Sequence, residues 1–315
     1  MTINIVSYCA AEMGVTSQVA RRIASQAPHK YKKFRIKKRR GAEMRSVAQP
    51  AREVKALQRA IVSFFNREVI FHSCATAYME GASIAKNAKQ HAGASYILKL
   101  DFSKFFESIE NSDIDIFLRK VTAGKISDSE VVFVSRSICW DGGAGTPLSL
   151  CIGAPSSPFF SNAIMYSFDE AVYAECLELG VVYTRYSDDM TFSGKSRDEL
   201  LKIEIFVERL CRSFVSPKLI LNNEKRVLVG RSKRMFVTGI CLSTQGEATI
   251  GRNRKRGIRS GVKRFLDGKM SEDDVRKLKG EIAFASDVEK NFVDQLYRWY
   301  GAEVGRLMVI RRKNK

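Results

Sequence analysis

The chain has 315 residues, of which 45% are hydrophobic and 28% charged; this excludes an intrinsically disordered protein and allows two or three hydrophobic cores. Its formal net charge of +19 points to a polyanionic partner, nucleic acid before a membrane surface, because the longest uncharged run (142–168) is broken by Gly, Pro and Ser and cannot span a bilayer. Seven cysteines without a C-x-x-C pair and only three histidines argue against zinc and read as reduced core residues of a cytosolic protein, so any metal falls to carboxylates, which suit a hard ion such as Mg²⁺.

In chain order, the first thirty residues predict helix, with Val19, Ala20, Ile23 and Ala24 on one face, and Glu12 interrupts any signal-peptide pattern. Residues 29–45, HKYKKFRIKKRRGAEMR, alternate basic and apolar side chains around a glycine and predict a basic hairpin. After Pro50, the spacing of Val54, Leu57, Ile61, Val62 and Phe65 predicts a helix. Residues 94–109, ASYILKLDFSKFFESI, predict a strand ending near Asp101 and then a short helical stretch. A helix is expected over 129–140, ended by DGGAG. A longer one is expected over 153–180, with Ser157 as N-cap, Pro158 in its first turn and Gly180 at its end. VVYTRYSDDMTFSG (181–194) reads as a β-hairpin with two aspartates at its tip, and a helix follows over about 197–213. Residues 219–243 read as two strands with basic turns, and the chain is basic and helical from about 250. No long Gly/Ser linker appears, so a basic N-terminal region, a mixed α/β centre and a basic helical C-terminal region are expected to pack on one another.

Adjacent carboxylates repel, and a solvated turn would by itself account for Asp188 and Asp189. Two-metal phosphoryl transfer supplies another reason: it needs carboxylates mounted rigidly enough to hold two cations about 4 Å apart, and the ends of neighbouring strands provide that mounting. Asp101 closes YILKLD, and Asp188 and Asp189 stand on a hairpin of valines and tyrosines; in segments so apolar, unpaired carboxylates are unfavourable without cations. Asp101 could equally serve as an ordinary N-cap. GAPSSP (153–158) joins small residues to a helix start whose free N–H groups suit a phosphate, or else forms a plain turn into a core helix.

LDFSKFF with Asp101, GAPSSP at 153–158 and YSDD at 186–189 resemble, in order and spacing, the A, B and C motifs of reverse transcriptases. NAKQHA (87–92) resembles the N-A-x-x-H signature of the bacterial retron branch, VTG (237–239) its later V-T-G signature, and RSVAQPAREVKALQ (45–58) its finger motif. The resemblance runs from about residue 30 to about 300, and its ordered motifs are more specific than any one alone.

The resemblance implies an α+β right-hand polymerase: an N-terminal helical extension (1–30), fingers (31–93), a catalytic palm with an antiparallel sheet and finger insertions (94–240), and a basic helical thumb with RNA-binding C-terminal region (241–315). It implies that Asp101 and Asp188 bind two Mg²⁺ ions with Asp189 as supporting ligand, and that Lys225 protonates the leaving pyrophosphate. Phe106 would block a ribose 2′-OH and so select dNTP, Gly153 would lie against nucleotide and template, and Tyr186 would pack under the primer end. Arg45 would grip the triphosphate, helped by a basic residue among 37–40. Taken singly, Lys225 and the finger residues also read as solvated basic side chains, and Phe106 and Tyr186 as core. Seven basic residues and no acid over 251–265 suit a thumb tracking phosphates, and Tyr297, Trp299 and Tyr300 could stack on unpaired bases or form a core stripe. The implied activity is a retron reverse transcriptase of the bacterial cytoplasm that binds its own structured non-coding RNA, primes from a guanosine 2′-OH and copies part of that RNA into branched RNA-linked DNA. It would serve anti-phage defence with a separate effector protein in trans and no membrane; higher-order assembly stays open. The alternatives are an RNA-binding scaffold that holds an effector, or a group II intron-like or diversity-generating reverse transcriptase. Two departures concern nucleotide selectivity: Ser187 stands where the branch commonly has Ala, and Ile152 where many relatives carry Gln.

Overall fold

The computed structural model describes residues 4–37, 44–143, 145–243, 245–301 and 303–308, apart from the side chains of residues 45, 303, 306 and 308. Two helices, α1 (Ile5–Met13) and α2 (Ser17–Gln26), open the chain and are followed by an antiparallel hairpin, β1 (Tyr31–Lys37) and β2 (Met44–Pro50). Next come α3 (Arg52–Phe65), α4 (Ile84–Gln90), β3 (Tyr96–Asp101), α5 (Asn111–Val121), α6 (Asp128–Ile138), α7 (Ser157–Ile164) and α8 (Tyr166–Glu178). The hairpin β4 (Val182–Tyr186) and β5 (Asp189–Gly194) leads to α9 (Arg197–Ser213), then to β6 (Val227–Gly230), β7 (Met235–Val237), β8 (Ile240–Leu242) and β9 (Ala248–Thr249). Four helices close the chain: α10 (Arg252–Leu266), α11 (Glu272–Val288), α12 (Lys290–Tyr300) and α13 (Glu303–Met308).

The fold is therefore α+β, as expected, with a central antiparallel sheet in the order β4-β5-β3-β6. Period-2 alternation along β3 gives that sheet two uses. Leu98 and Leu100 point into the larger core, shared with α3 and α5–α9, whereas Ile97 joins a second core built by α4, the β7-β8-β9 sheet and α10–α12. Lys99 and Asp101 lie on the Ile97 face, beyond the reach of the second core, where that face opens into a cleft. The N-terminal helices belong to the larger core. Ile5 and Val6 are buried in it, and their backbone N–H groups donate to the buried Glu130 carboxylate of α6 at 3.0 and 3.2 Å, which satisfies the first turn of α1.

Three local expectations are corrected. Residues 102–109 form successive turns instead of helix, because Phe102 N donates to Asp188 O (3.1 Å) and Ser103 N to Ile220 O (2.8 Å), so these N–H groups serve neighbouring segments. The helix expected over 153–180 starts only at Ser157 and is two helices that break at Met165, where ψ is −3°, and Ser156, not Ser157, is the N-cap. Ser157 Oγ instead accepts from Cys151 N (3.3 Å). Residues 219–226 carry no strand; Leu221 makes only an isolated bridge to Phe102, and 227–242 holds three short strands.

Candidate active site

Antiparallel pairing of β3 with β5 sets Asp101 directly opposite Asp189, and pairing of β4 with β5 sets Tyr186 opposite Asp189. The same register puts Ile97, Lys99, Asp101, Asp189, Thr191, Ser193, Thr184 and Tyr186 on the cleft face of the sheet. A two-residue loop, Ser187–Asp188, joins β4 to β5. Ser187 has φ +61°, which a residue with a Cβ adopts at about 1–2 kcal/mol of strain. The tip is nevertheless pinned: Asp188 O accepts from Phe102 N (3.1 Å), Ser187 O from Arg185 Nη1 (3.0 Å), and Ser187 Oγ from the Tyr78 hydroxyl (3.4 Å).

Two lysines balance the carboxylates. Lys225 Nζ lies 2.6 Å from Asp101 Oδ1, and Lys99 Nζ lies 2.8 Å from Asp189 Oδ2. Burial nevertheless raises the Asp101 carboxyl above its ordinary value; Lys225 opposes this and the Asp188 charge adds to it. Asp189 is raised for the same first reason, against the pull of Lys99. With the lysines so placed, no three His, Cys, Asp or Glu among the described residues converge to hold an ion. The donor chemistry still suits Mg²⁺: all three groups offer hard carboxylate oxygens at the ends of neighbouring strands, and burial disfavours the Asp101 and Asp189 anions without added positive charge.

The cleft in front of them, about 470 Å³, is lined by Asp188, Lys225, Asn222, Phe106, Ile152 and Tyr78, with Met44 and Ser46 closing it from β2. A second cleft of about 420 Å³ shares Tyr78, Phe106 and Ile152 with the first and continues past Gly153 and Pro155 to Lys55 and Arg59 of α3. The sequence-derived residues Asp188, Lys225, Phe106 and Gly153 thus border one continuous surface, with Asp101, Asp189 and Tyr186 beside it on the sheet. Gly153 is required by geometry: its φ is +114°, and an added Cβ would stand 2.7 Å from Ala48 O. Ala48 N in turn donates to Ile152 O (2.9 Å), which holds the loop against β2. The Tyr186 ring centroid is 6.4 Å from that of Tyr78. Arg45 lies on β2 opposite Ile36, but its side chain, like residues 38–40, falls outside the described residues.

Sequence reasoning misses several participants. Lys99 shares the strand and face of Asp101, and the alternation of YILKLD could have revealed it. Tyr78 has φ +62° and is 55% exposed, and no local motif marks it. His91 stands in the sequence only as part of a signature; in the fold it clamps the sheet, with Nδ1 2.8 Å from Ser193 Oγ and Nε2 2.7 Å from Thr184 Oγ1. Arg185, wholly buried in a strand, carries no signal of its own beside the aspartates.

A third cleft, about 600 Å³, lies between β7–β8 and the start of α10 and carries Arg231, Lys233, Arg234, Arg252, Arg254 and Lys255. α10 begins at Gly251 without a side-chain cap, so its first N–H groups face this basic surface. Trp299 is 53% exposed with the Arg259 guanidinium 4.7 Å from its ring centroid, which favours a surface role over a core stripe. Among the described residues no helix is long and apolar enough to cross a membrane.

Residues 36–242 match the family described as reverse transcriptase (RNA-dependent DNA polymerase). The chain is similar to the retron Ec83 reverse transcriptase of Escherichia coli, with 37% identity over 278 residues, 86% of this chain and 87% of that protein. It is also similar to the retron Ec86 reverse transcriptase of the same species, with 26% identity over 91% of this chain and 88% of that one. Among solved structures, apo telomerase from Candida tropicalis, truncated of its C-terminal domain, aligns with 75% of this chain at a TM-score of 0.48 and 13% identity; the chain spans 60% of its length.

Proposed function

The chain belongs to the reverse transcriptases, in the bacterial retron branch, and is an RNA-directed DNA polymerase; on that premise we propose that it primes from a guanosine 2′-OH of its own structured RNA and copies part of it into branched RNA-linked DNA. The observation that carries the reading is the pairing of Asp101 with Asp189 across β3 and β5, with Asp188 at the adjoining tip.

In this reading Asp101 and Asp188 hold two Mg²⁺ ions and Asp189 supports them. The chemistry that Mg²⁺ supplies in such a set is activation of the attacking hydroxyl and support of the leaving pyrophosphate. Lys225, which lines the cleft beside Asp101, would release that carboxylate to the metal and donate a proton to pyrophosphate there. Phe106 crowds the sugar 2′ position of the incoming dNTP, the Gly153 loop lies against base and template, Tyr186 supports the primer end, and Arg45 reaches the triphosphate. We assign the fingers to 31–93, the palm to 94–240 and the thumb to 241–315, and the third, basic cleft to RNA phosphates. A cytoplasmic location, a role in anti-phage defence and an effector protein in trans complete the proposal.

The test is expression of the chain with and without the non-coding RNA encoded beside its gene, with Asp188→Asn as control. A short DNA joined to RNA through a debranchase-sensitive linkage, absent from the variant, is the expected product. Tight RNA co-purification from both forms without any DNA would replace this reading with the RNA-binding scaffold.

A further inference from the structure

Tyr183 and Arg185 alternate with Thr184 and Tyr186 along β4, so they point away from the cleft, toward α8. There Arg185 and Asp169 are both fully buried. Arg185 Nε donates to Asp169 Oδ1 (2.8 Å) and Nη2 to Oδ2 (2.6 Å), and the Tyr183 hydroxyl adds a bond to Oδ1 (2.9 Å). The remaining arm of the fork reaches forward: Nη1 donates to Ser187 O (3.0 Å) and to Asn162 Oδ1 (3.2 Å). Asn162, on the helix that follows the Gly153 loop, passes its own amide hydrogen to Ala77 O (2.9 Å). The backbone of Arg185 is held as well, its N–H donating to Cys74 O (2.8 Å) and its carbonyl accepting from Thr76 N (2.8 Å).

A buried ion pair is weak grounds for stability, because two apolar side chains of similar volume generally do as well. What an apolar pair, or a lysine, cannot supply is a planar fork that binds a carboxylate with two arms while a third holds a carbonyl in the next turn. That carbonyl belongs to Ser187, whose φ of +61° persists only where the surroundings hold it. We propose that Arg185 is a positioning residue of the active site: through Ser187 O it holds the tip that presents Asp188 and Asp189 to Asp101, and through Asn162 it ties that tip to the helix behind the Gly153 loop. This rests on the reading of Asp101 and Asp188 as the catalytic pair. Asp169 is then the anchor that orients the fork, and it never meets substrate.

The experiment is RNA-templated dNTP incorporation by the full chain, with Mg²⁺ and dNTP titrated separately. The variants are Arg185→Lys, Asn162→Ala, Arg185→Lys with Ser187→Gly, and Asp188→Asn. Arg185→Lys is expected to bind the RNA as the parent does, lose about 100-fold in kcat with little change in dNTP KM, and need several-fold more Mg²⁺ for half-activation. Glycine takes a positive φ without steric cost, so Ser187→Gly is expected to return about tenfold of that kcat in the double variant. Asn162→Ala leaves the ion pair whole and serves if Arg185→Lys does not fold; its Mg²⁺ midpoint should rise in the same direction. A folded Arg185→Lys with parental kcat and Mg²⁺ midpoint, a loss that Ser187→Gly leaves untouched, or an unmoved midpoint in Asn162→Ala would overturn the inference. A parent chain without Mg²⁺-dependent synthesis sensitive to Asp188→Asn would instead overturn the catalytic reading on which it rests.

Discussion

Side chains in the site carry opposed demands that are settled atom by atom. Asp101 and Asp189 are each disfavoured as anions by burial and each held by one lysine, so the site stores its negative charge against removable cations. Phe106 borders both of the first two clefts, beside Asp188 in one and Gly153 in the other. Phe106→Ala is expected to lower the preference for dNTP over NTP by about 10- to 200-fold in single-nucleotide incorporation; an unchanged ratio would remove Phe106 from that role. Gly153 faces a backbone carbonyl that cannot retreat as a flexible side chain would. Gly153→Ala should therefore lower unfolding stability by about 1–3 kcal/mol and raise the dNTP KM, read from denaturant unfolding and steady-state kinetics.

Between elements, the clearest coupling is the docking of α4 on the sheet through His91. Burial, with a smaller push from Lys99, lowers its imidazole to about 4 from the ordinary 6.5. The unfolded chain therefore takes up the proton first as pH falls. The stabilising contribution of neutral His91 is complete above about pH 6.5 and is lost on descent toward pH 4, to a total of about 3 kcal/mol. The raised Asp101 and Asp189 carboxyls change stability in the opposite sense, so the imidazole is isolated by comparison with His91→Gln. Urea midpoints measured from pH 7 to 4 should fall more steeply for the parent than for His91→Gln, and parallel curves would refute the assignment.

For the molecule as a whole, the sheet separates the two larger cores, and six basic side chains line the cleft formed by β7, β8 and the start of α10. A formal charge of +19 predicts RNA binding that weakens linearly in log–log plots against salt. Replacing Lys233, Arg234 and Arg252 with Ala should reduce that slope by about 0.7 for each phosphate left without its cation. A slope identical to the parent's would place the RNA on another surface.

Sequence alone determined the elements whose signals are local: α9 begins and ends within the predicted 197–213, and the hairpin at 181–194 forms, although its tip is Ser187–Asp188 and Asp189 already belongs to β5. It could not determine the turns at 102–109, whose first two N–H groups bond to segments more than eighty residues away, nor the break at Met165. Nor could it show which cations stand on which carboxylates, since Lys225 reaches Asp101 across 124 positions and Lys99 reaches Asp189 across 90. Arg185 is the sharpest case. In the sequence it is one more basic residue among 53, and only folding brings Asp169, Asn162 and the Ser187 carbonyl around it. Periodicity and turn chemistry act between neighbours in the chain and are written there, whereas desolvation and ion pairing depend on what packing brings close, and packing is a property of the whole fold.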